Sequence, residues 1–418
     1  MPVINASEQA AVHLQRGAQR YQQGDLAGAR QAFQAALAVQ PDLSPARFNL
    51  GVVCRELEEN ESARLYFEQL LDRGELLADA YNNLGILAVR REQDQQAQQY
   101  FRQAIQHRYE FPLAHFNLST LLLRHRQWAE GWREYQWRWQ TPSFTPLQCP
   151  QPLWDGQRLD GTLLVHTEQG IGDTFQFARF LPQIRRRCRR LILVRPDSLD
   201  CMFPASHWAD EVIGAGEVPL DSFQAYLPLM SAAEALSVQP QDLPVLKNYL
   251  TPDQRRIELG PPHVDNAKLR VGITWRGSST HSNDAYRSMS LTKFRPLFSL
   301  PQIAFYSLQI DPNEDEKREL SRHAALRDLS GTQRDFADTA AIVRQLDLII
   351  TVDTSILHLV GGMDLPGWGL LCRRSDWRWE GHDRTDTLWY PSLRLFRQRT
   401  HHDWDELMIR VASQLRAN

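Results

Sequence analysis

Small residues, alanines and aromatics return along the first third of the chain at a single interval. Gly17, Gly51, Gly85 and Ser119 are 34 residues apart, as are Ala29, Ala63, Ala97 and Gly131, and as are Phe33, Phe67, Phe101 and Tyr135. Series that coincide at one period mark stacked supersecondary units, each unable to bury its apolar face alone. The stretches "FNLGVVCRELEENESARLYFEQLL" and "YNNLGILAVRREQDQQAQQYFRQAI" each read as helix, turn, helix. No other feature restricts the possible folds as severely.

The pattern resembles the tetratricopeptide repeat, and four repeats are expected over residues 8–140. In that fold the small residue of the first helix meets the alanine of the second where the helices cross closely. The aromatic fills the space between neighbouring repeats, and Pro41 closes the first. The sixth position of each first helix looks into the concave face, and it holds Gln15, Asn49, Asn83 and Asn117. A carboxamide both donates and accepts, so this row could grip the backbone of an extended peptide. Equally, Asn is common at that repeat position. The last repeat, "WAEGWREYQWRW", is unusual: it gathers four tryptophans, and Arg138 stands where a small residue is expected at the crossing. A terminal repeat must be capped with polar residues or docked on something, and these tryptophans favour docking against the next domain. "TPSFTPLQCPQPLWDG", residues 141–156, then reads as a linker.

Bulk properties narrow the function classes. A chain of 418 residues exceeds what one core usually serves. With 47 Lys+Arg against 50 Asp+Glu the net charge is -3, so no global field draws in nucleic acid. Five scattered cysteines without a CxxC pair argue against a disulfide framework and a thiolate zinc site, and suit a reducing cytoplasm. No secretion signal and no membrane span are expected. "RRRCRR", Arg185–Arg190, ends a predicted helix, where cations match the dipole. His401 and His402 lack partners at ligand spacing.

From about residue 157 the rhythm alternates strand and helix. "TLLVHT" and "RLILVRP" flank the helical "DTFQFARFLPQIRRR". After "LGPPHVDNAK" (Leu259–Lys268) come "LRVGITW", "IAFYSLQ", "LDLIITVD" and "GWGLL", with "DFADTAAIVRQL" helical between them. Such alternation gives parallel sheets covered by helices. The expectation is multidomain: an all-α solenoid over 1–140, a linker over 141–156, and two doubly wound α/β lobes over 157–261 and 262–418. Asp403 followed three residues later by Glu406 opens a final helix with a capping-box pattern. The lobes' ligand belongs at the carboxyl ends of the strands.

Three loops follow strand ends. "HTEQGIGDTFQFARFLP" places Glu168 before and Asp173 after the glycines Gly170 and Gly172. "WRGSSTHSNDAYRS" carries Trp275, Arg276, Ser278, His281, Asn283 and Arg287. In "VDTSILHLVGG", Thr354 and Ser355 fall on the first turn of a helix, where free N–H groups and the dipole favour anions. Those hydroxyls could cradle a diphosphate, and His358 lies on the same face as Thr354. Asp353 could cap that helix or accept from a ribose hydroxyl. Cations facing an anion-binding helix suit a diphosphate leaving group; the alternative for the second loop is a solvated surface. With no DxD-like pair in either donor loop, this positive charge is expected to replace a metal ion. Gln309, closing "FYSLQ", is a further candidate for the nucleotide. Trp377 and Trp379 of "DWRWEGHD" could stack on a base or sugar, though buried packing suits them better.

These loops together with "DWRW" and "WYPSLRLFRQ" make the chain resemble bacterial tetratricopeptide-linked, heptosyltransferase-like glycosyltransferases over nearly its whole length. The resemblance implies a GT-B fold of two Rossmann-like lobes, with metal-free sugar transfer from a nucleotide sugar and inversion at the anomeric carbon. It puts Asp173 at the candidate general base and Asp353, Thr354, Ser355 and His358 on the donor motif. Ser355 stands where Gly is usual, and "LVGGMDLPG" departs from the usual small-residue run. The second loop has no clear lysine for the diphosphate, so Arg287 or Arg276 must substitute. A helix N-terminus favours the charged form of a carboxylate, which makes Glu168, outside the helix, the rival base. The expected partners are a nucleotide sugar and a protein whose Ser or Thr hydroxyl the repeats present. A glycan acceptor, or a scaffold that binds without turnover, are the alternatives.

Overall fold

The computed structural model describes residues 5–202, 208–218, 220–244, 246–251, 267–281, 283–381 and 383–417. The chain divides into two units: residues 1–122 with 133–145, and residues 123–132 with 146–418.

Eight helices account for the repeats: α1 Ala6–Gln22, α2 Leu26–Val39, α3 Ser44–Glu56, α4 Asn60–Asp72, α5 Leu77–Arg90, α6 Asp94–His107, α7 Pro112–Arg124 and α8 Trp128–Tyr135. The 34-residue period is visible in the packing. A Cβ on Gly17, Gly51 or Gly85 would lie 2.4, 2.7 or 2.5 Å from the ring of Phe33, Phe67 or Phe101. The aromatic therefore fills the crossing within its own repeat, resting on the missing side chain, and its place is not only between neighbours as the repeat pattern suggested. Ala29, Ala63 and Ala97 are fully buried beside these rings. The turn between the two helices keeps the same period: Gly24, Glu58, Glu92 and Arg126 all have φ between 60° and 78°.

The second unit holds two sheets, every strand parallel to its neighbour. One comprises β1 Leu159–His166, β2 Cys188–Arg195, β3 Glu211–Gly214 and β4 Ala225–Pro228, in the order β3-β2-β1-β4. The other comprises β5 Leu269–Thr274, β6 Ile303–Ser307, β7 Leu326–Asp328, β8 Leu348–Val352, β9 Gly367–Leu371 and β10 Leu393–Arg397, in the order β10-β9-β8-β5-β6-β7. Counted within each sheet, the first four strands follow the doubly wound order 3-2-1-4, and the second sheet continues to 5 and 6. Each sheet thus has a switch point where the direction of winding reverses, at β1/β4 and at β5/β8, and a crevice opens at the carboxyl ends there. The strands are near-continuous apolar runs because both of their faces are covered. Leu163, Leu164 and Val165 are completely buried in β1. Val271, Ile273, Ile350 and Leu370 share a core with Leu407, Met408 and Val411 of the Trp404–Ala417 helix. That helix opens as its sequence suggests, the Glu406 N–H donating to Asp403 at 3.0 Å.

Residues 146–156 are an ordered part of the second unit and no loose linker. Leu153 bridges to Tyr226, and the Trp154 N–H donates to the Tyr226 carbonyl at 2.8 Å. Gly156 has φ +85°, and a Cβ there would meet the Ala235 carbonyl oxygen at 1.8 Å, so only glycine fits. The proposed boundary between lobes, at 261/262 in "LGPPHVDNAK", lies outside the described residues. Among the described residues no helix is long and apolar enough to cross a membrane.

Candidate functional site

The second unit brings two of the three loops together. The Ile171–Phe177 helix follows β1, and the Ser355–Gly362 helix follows β8. Their first turns pack so closely that a Cβ on Gly172 would lie 2.8 Å from His358 Cδ2 and 3.5 Å from the Ser355 Cα. Gly172 therefore serves helix contact. Gly170 is the N-cap with φ -83°, an ordinary value, and Gln169 takes the left-handed position at φ 56°. Neither glycine is needed for positive φ.

Asp173 is the third residue of its helix. One carboxylate oxygen accepts the Gly170 N–H at 2.9 Å, and the other accepts from the Arg378 guanidinium. Arg378, in the turn Trp377–Trp379, also donates to Gln176 Oε1 at 2.9 Å and Asp376 Oδ1 at 2.8 Å, and lies 4.4 Å over the Trp377 ring. A guanidinium suits this position because its planar fork can serve three acceptors while one face stacks. Glu168 does something else: its Oε1 accepts the Met230 N–H at 3.0 Å, tying the loop after β1 to the end of β4.

On the other side of the crevice, the N-cap of the Ser355–Gly362 helix is Thr354 and not Asp353. The Thr354 hydroxyl is 3.1 Å from that of Thr351, while the Ser355 hydroxyl has no protein partner among the described residues. Surrounding protein, and then the Asp376 charge, push the Asp353 carboxyl up to about 6. His358 is buried, its Nδ1 2.8 Å from the Tyr390 hydroxyl and its ring stacked 5.0 Å from Trp379. Burial first, with Arg378, Arg179 and Arg287 adding to it, lowers His358 to about 3, so the ring is neutral.

The loop after β5 divides in two. Its far end joins the crevice. The charge of Arg287 is felt at Asp353, His358 and His281. His281 feels Asp173 and Asp376 as well, and is lowered mainly by burial and then by Arg287. Its Nδ1 accepts the Asn283 N–H at 3.1 Å, which uses Asn283 as a turn residue. The Arg287 guanidinium lies across Gly277, where a Cβ would approach its Nη2 to 2.5 Å, and its Nε has no hydrogen-bond partner. Among the described residues its one ion pair, from Nε to Asp284, is long at 3.5 Å.

The near end of the loop is different. Trp275 is wholly buried in the β5 core, and its indole N–H donates to Glu316 at 2.5 Å. It has no face left for a ligand, which corrects its placement as a donor-binding residue. Arg276 is neutralised by Glu316, at 3.0 Å, and by Asp311. Gln309 accepts the Arg276 N–H at 3.3 Å and donates to Asp311 at 3.0 Å. Of the two arginines considered for the diphosphate, Arg287 has donors to spare and Arg276 does not. Ser278 is exposed and hydrogen-bonds Thr280 at 2.8 Å. Trp377 and Trp379 are buried at 4% and 0% exposure, which is packing.

Arg378, Asp376, Gln176, Tyr390, Arg179 and Tyr249 were not singled out from the sequence. The signal was available in "DWRWE": a charged residue between two tryptophans in a burial-rich run needs partners. In the repeats, Asn83 is buried, its Nδ2 donating to the Asp79 carbonyl at 2.9 Å and its oxygen accepting from Arg55. Asn117 donates to Asn82 at 3.0 Å, and Asn49 is half-buried. Much of the carboxamide row thus braces the solenoid itself. The basic run is also paired: Arg185 bonds Asp210 at 2.7 Å, Arg187 the Gly156 carbonyl at 2.8 Å, and Arg190 reaches Glu211.

Two tetratricopeptide-repeat family models match residues 14–79 and 78–106. The N-terminal region is built of these repeats; the fourth hairpin lies beyond the matched residues. Protein FlbA of Caulobacter vibrioides is 26% identical over 321 residues, covering 69% of this chain and 52% of FlbA. The chain thus spans about half the length of that relative. Among solved structures, YrrB, described as a TPR protein with an unusual peptide-binding site, is 20% identical with TM-score 0.27, over 31% of this chain and 68% of YrrB. MamA of Desulfovibrio magneticus is 20% identical with TM-score 0.28, over 30% of this chain and 72% of that one.

Proposed function

We propose that residues 157–418 are a GT-B glycosyltransferase that transfers a sugar from a nucleotide donor without a metal ion and with inversion, and that the repeats present a protein hydroxyl as acceptor. One observation carries the reading. At the β5/β8 switch point the first turn of the Ser355–Gly362 helix, whose Ser355 hydroxyl has no partner among the described residues, feels the charge of Arg287, whose buried Nε makes only the long 3.5 Å ion pair to Asp284 and no hydrogen bond among the described residues. Helix N–H groups and a spare guanidinium are the groups a diphosphate needs as negative charge grows on it. Asp173, on the opposing helix, is the candidate base. Asp353 and the neutral His358 complete the donor side.

A second reading has its own support. Both oxygens of Asp173 already accept strong donors, Gly170 N–H and Arg378, which suits a site that binds a nucleotide sugar without turning it over. Thermal shift with UDP, GDP, ADP, CMP and dTDP, repeated on Asp353→Ala, tests the donor site. A ligand at about 100 times its Kd stabilises by about 2.7 kcal/mol, so a shift with one nucleotide that vanishes in the variant is expected. No shift with any nucleotide sinks both readings. Given binding, release of sugar from the matching labelled donor by wild type but not by Asp173→Asn separates enzyme from scaffold.

A further inference from the structure

We propose that Asp376 binds hydroxyl groups of the transferred sugar, so that the crevice takes a neutral, hydroxyl-rich sugar and turns away an acidic one. The inference rests on the nucleotide-sugar reading of the site and adds what lies on the sugar side of the diphosphate.

The place of the sugar follows from the two ends already assigned. The diphosphate end is the first turn of the Ser355–Gly362 helix with the charge of Arg287, and the end where the acceptor arrives is Asp173 on the opposing helix. A sugar joined to the one and attacked from the other has to lie between them. Asp376 reaches that space from both sides. It shares a guanidinium with Asp173: Arg378 Nη1 donates to Asp376 Oδ1 at 2.8 Å, and Nη2 donates to Asp173 Oδ1. Toward the donor end its charge is felt at Asp353 and His358, and at His281 in the loop after β5.

Asp376 and Asp173 differ in what they have left to offer. Both oxygens of Asp173 accept, from the Gly170 N–H and from Arg378. Asp376 spends one: Oδ1 caps the Trp377–Trp379 turn by accepting the Arg378 N–H at 3.0 Å, and takes the Arg378 guanidinium as well. Its Oδ2 has no hydrogen-bond partner among the described residues, and the side chain is 36% exposed. Surrounding protein works against its charge, but Arg378, through its charge, its N–H and its guanidinium, and then Arg124 hold the carboxyl below the usual carboxylate value. An ionised carboxylate only accepts, so a sugar hydroxyl is a partner for Oδ2 and a second carboxylate is not. Gln176 adds the complementary group. Its Oε1 accepts from Arg378 Nε at 2.9 Å, while its buried Nε2 has no partner among the described residues. A donor and an acceptor held by one guanidinium suit neighbouring hydroxyls, each of which both donates and accepts. Arg378 itself lies 4.4 Å over the buried Trp377 ring, which keeps the set in place before a ligand arrives.

The test is isothermal titration of the full chain, wild type and Asp376→Asn, with melting temperatures measured alongside. The probes are the nucleotide found by thermal shift, its conjugates with neutral hexoses, and the uronate form of the hexose that binds best. Asn keeps Oδ1 for the cap and removes the charge and the free acceptor. The variant should bind the neutral conjugate about 10–100-fold more weakly and the free nucleotide within about threefold of wild type. Wild type should bind the uronate at least about tenfold more weakly than the neutral conjugate, and the variant should narrow that gap, which a merely structural aspartate would not do. The wild-type comparison needs no variant, so it decides the selectivity even if Asp376→Asn folds poorly. Equal losses for free nucleotide and conjugate, or no loss for either, overturn the contact with the sugar. A uronate held by wild type as tightly as the neutral conjugate overturns the selectivity. If wild type binds no nucleotide at all, the reading of the site fails and this role falls with it; if it binds nucleotide and the sugar makes no difference to Asp376→Asn, this role alone falls.

Discussion

Asp353 and His358 titrate in opposite senses, and their opposition can be measured. A carboxyl raised to about 6 holds its proton more tightly in the folded chain than in the unfolded one. The stability this confers is complete below about pH 4 and is lost as pH rises through 6. His358, lowered to about 3, contributes stability that is present above about pH 6.5 and lost as pH falls toward 3. Between these ranges the two slopes oppose each other. Asp353→Asn removes one of them: at 1.36 kcal/mol per pKa unit the variant should exceed wild type by about 2–3 kcal/mol at pH 8, and match it near pH 4. Urea melts at the two pH values check this, and equal stabilities at pH 8 would remove the account of a desolvated Asp353. The two arginines of the second loop give another contrast. Arg287→Ala should weaken nucleotide binding by roughly 10–100-fold, the worth of a charge-assisted hydrogen bond, with the melting temperature nearly unchanged. Arg276→Ala should instead destabilise by about 1–3 kcal/mol, since Glu316, with its side chain 12% exposed, loses its charged partner and keeps only the neutral Trp275 and Asn313 N–H donors. Isothermal titration and melts on both variants separate the roles. At this scale the sequence showed which loops follow the carboxyl ends of strands. It did not show which cations are already spent, because Asp311 and Glu316 reach Arg276 from 35 and 40 residues away.

Helices and strands were legible in proportion to the length of their apolar patterns. The repeat helices follow from the 34-residue period, and β1, β2, β5, β6, β8 and β9 from their buried runs. β3 and β7, at four and three residues, lie at sheet edges and carry charges, so no apolar run announces them. What the period could not reveal is which contact it serves, and Gly85→Ala probes that. Helix propensity alone would favour alanine by about 0.8–1.0 kcal/mol. The added Cβ would meet the Phe101 ring at 2.5 Å, however, and Phe101 is 1% exposed with nowhere to move. Overpacking of about 1–3 kcal/mol should win, giving a net loss of stability. Phe101→Leu in the same background should recover part of it, because the two sites share one contact. A double-mutant cycle by urea denaturation reads the coupling, and simple additivity would mean that the glycine is not there for the ring.

Over the whole molecule, the sequence suggests a cut near residue 140, where the repeats end and the prolines begin. The packing sets a different one. Residues 123–132 belong with the second unit, although they lie inside the fourth repeat. Within that unit Trp128 stacks 5.2 Å from Trp389, and Trp132 stands edge-on to Trp377 at 5.5 Å and to Phe177 at 5.9 Å. Both tryptophans are nearly inaccessible, at 1% and 2% exposure. The charges of the segment are committed in the same way, Arg126 to the buried Glu380 at 3.0 Å and Arg124 to the Ser375 carbonyl at 3.3 Å. The cluster of tryptophans in "WAEGWREYQWRW" was a sign of docking, but spacing alone could not say that the polar turn before it goes along. A fragment of residues 146–418 would lack both tryptophans and leave Trp377, Trp389 and Phe177 facing water. Losing one buried tryptophan costs about 3–5 kcal/mol, a large share of the roughly 5–15 kcal/mol that holds a domain together. The fragment should therefore melt well below the full chain and bind ANS at room temperature. Supplying residues 112–145 as a separate peptide should raise its melting temperature in a concentration-dependent way, as for any ligand of the native state. A fragment 146–418 that melts with the full chain and ignores the peptide would mean that the tryptophans of the fourth repeat are dispensable to the second unit, and that residue 140 was the right place to cut.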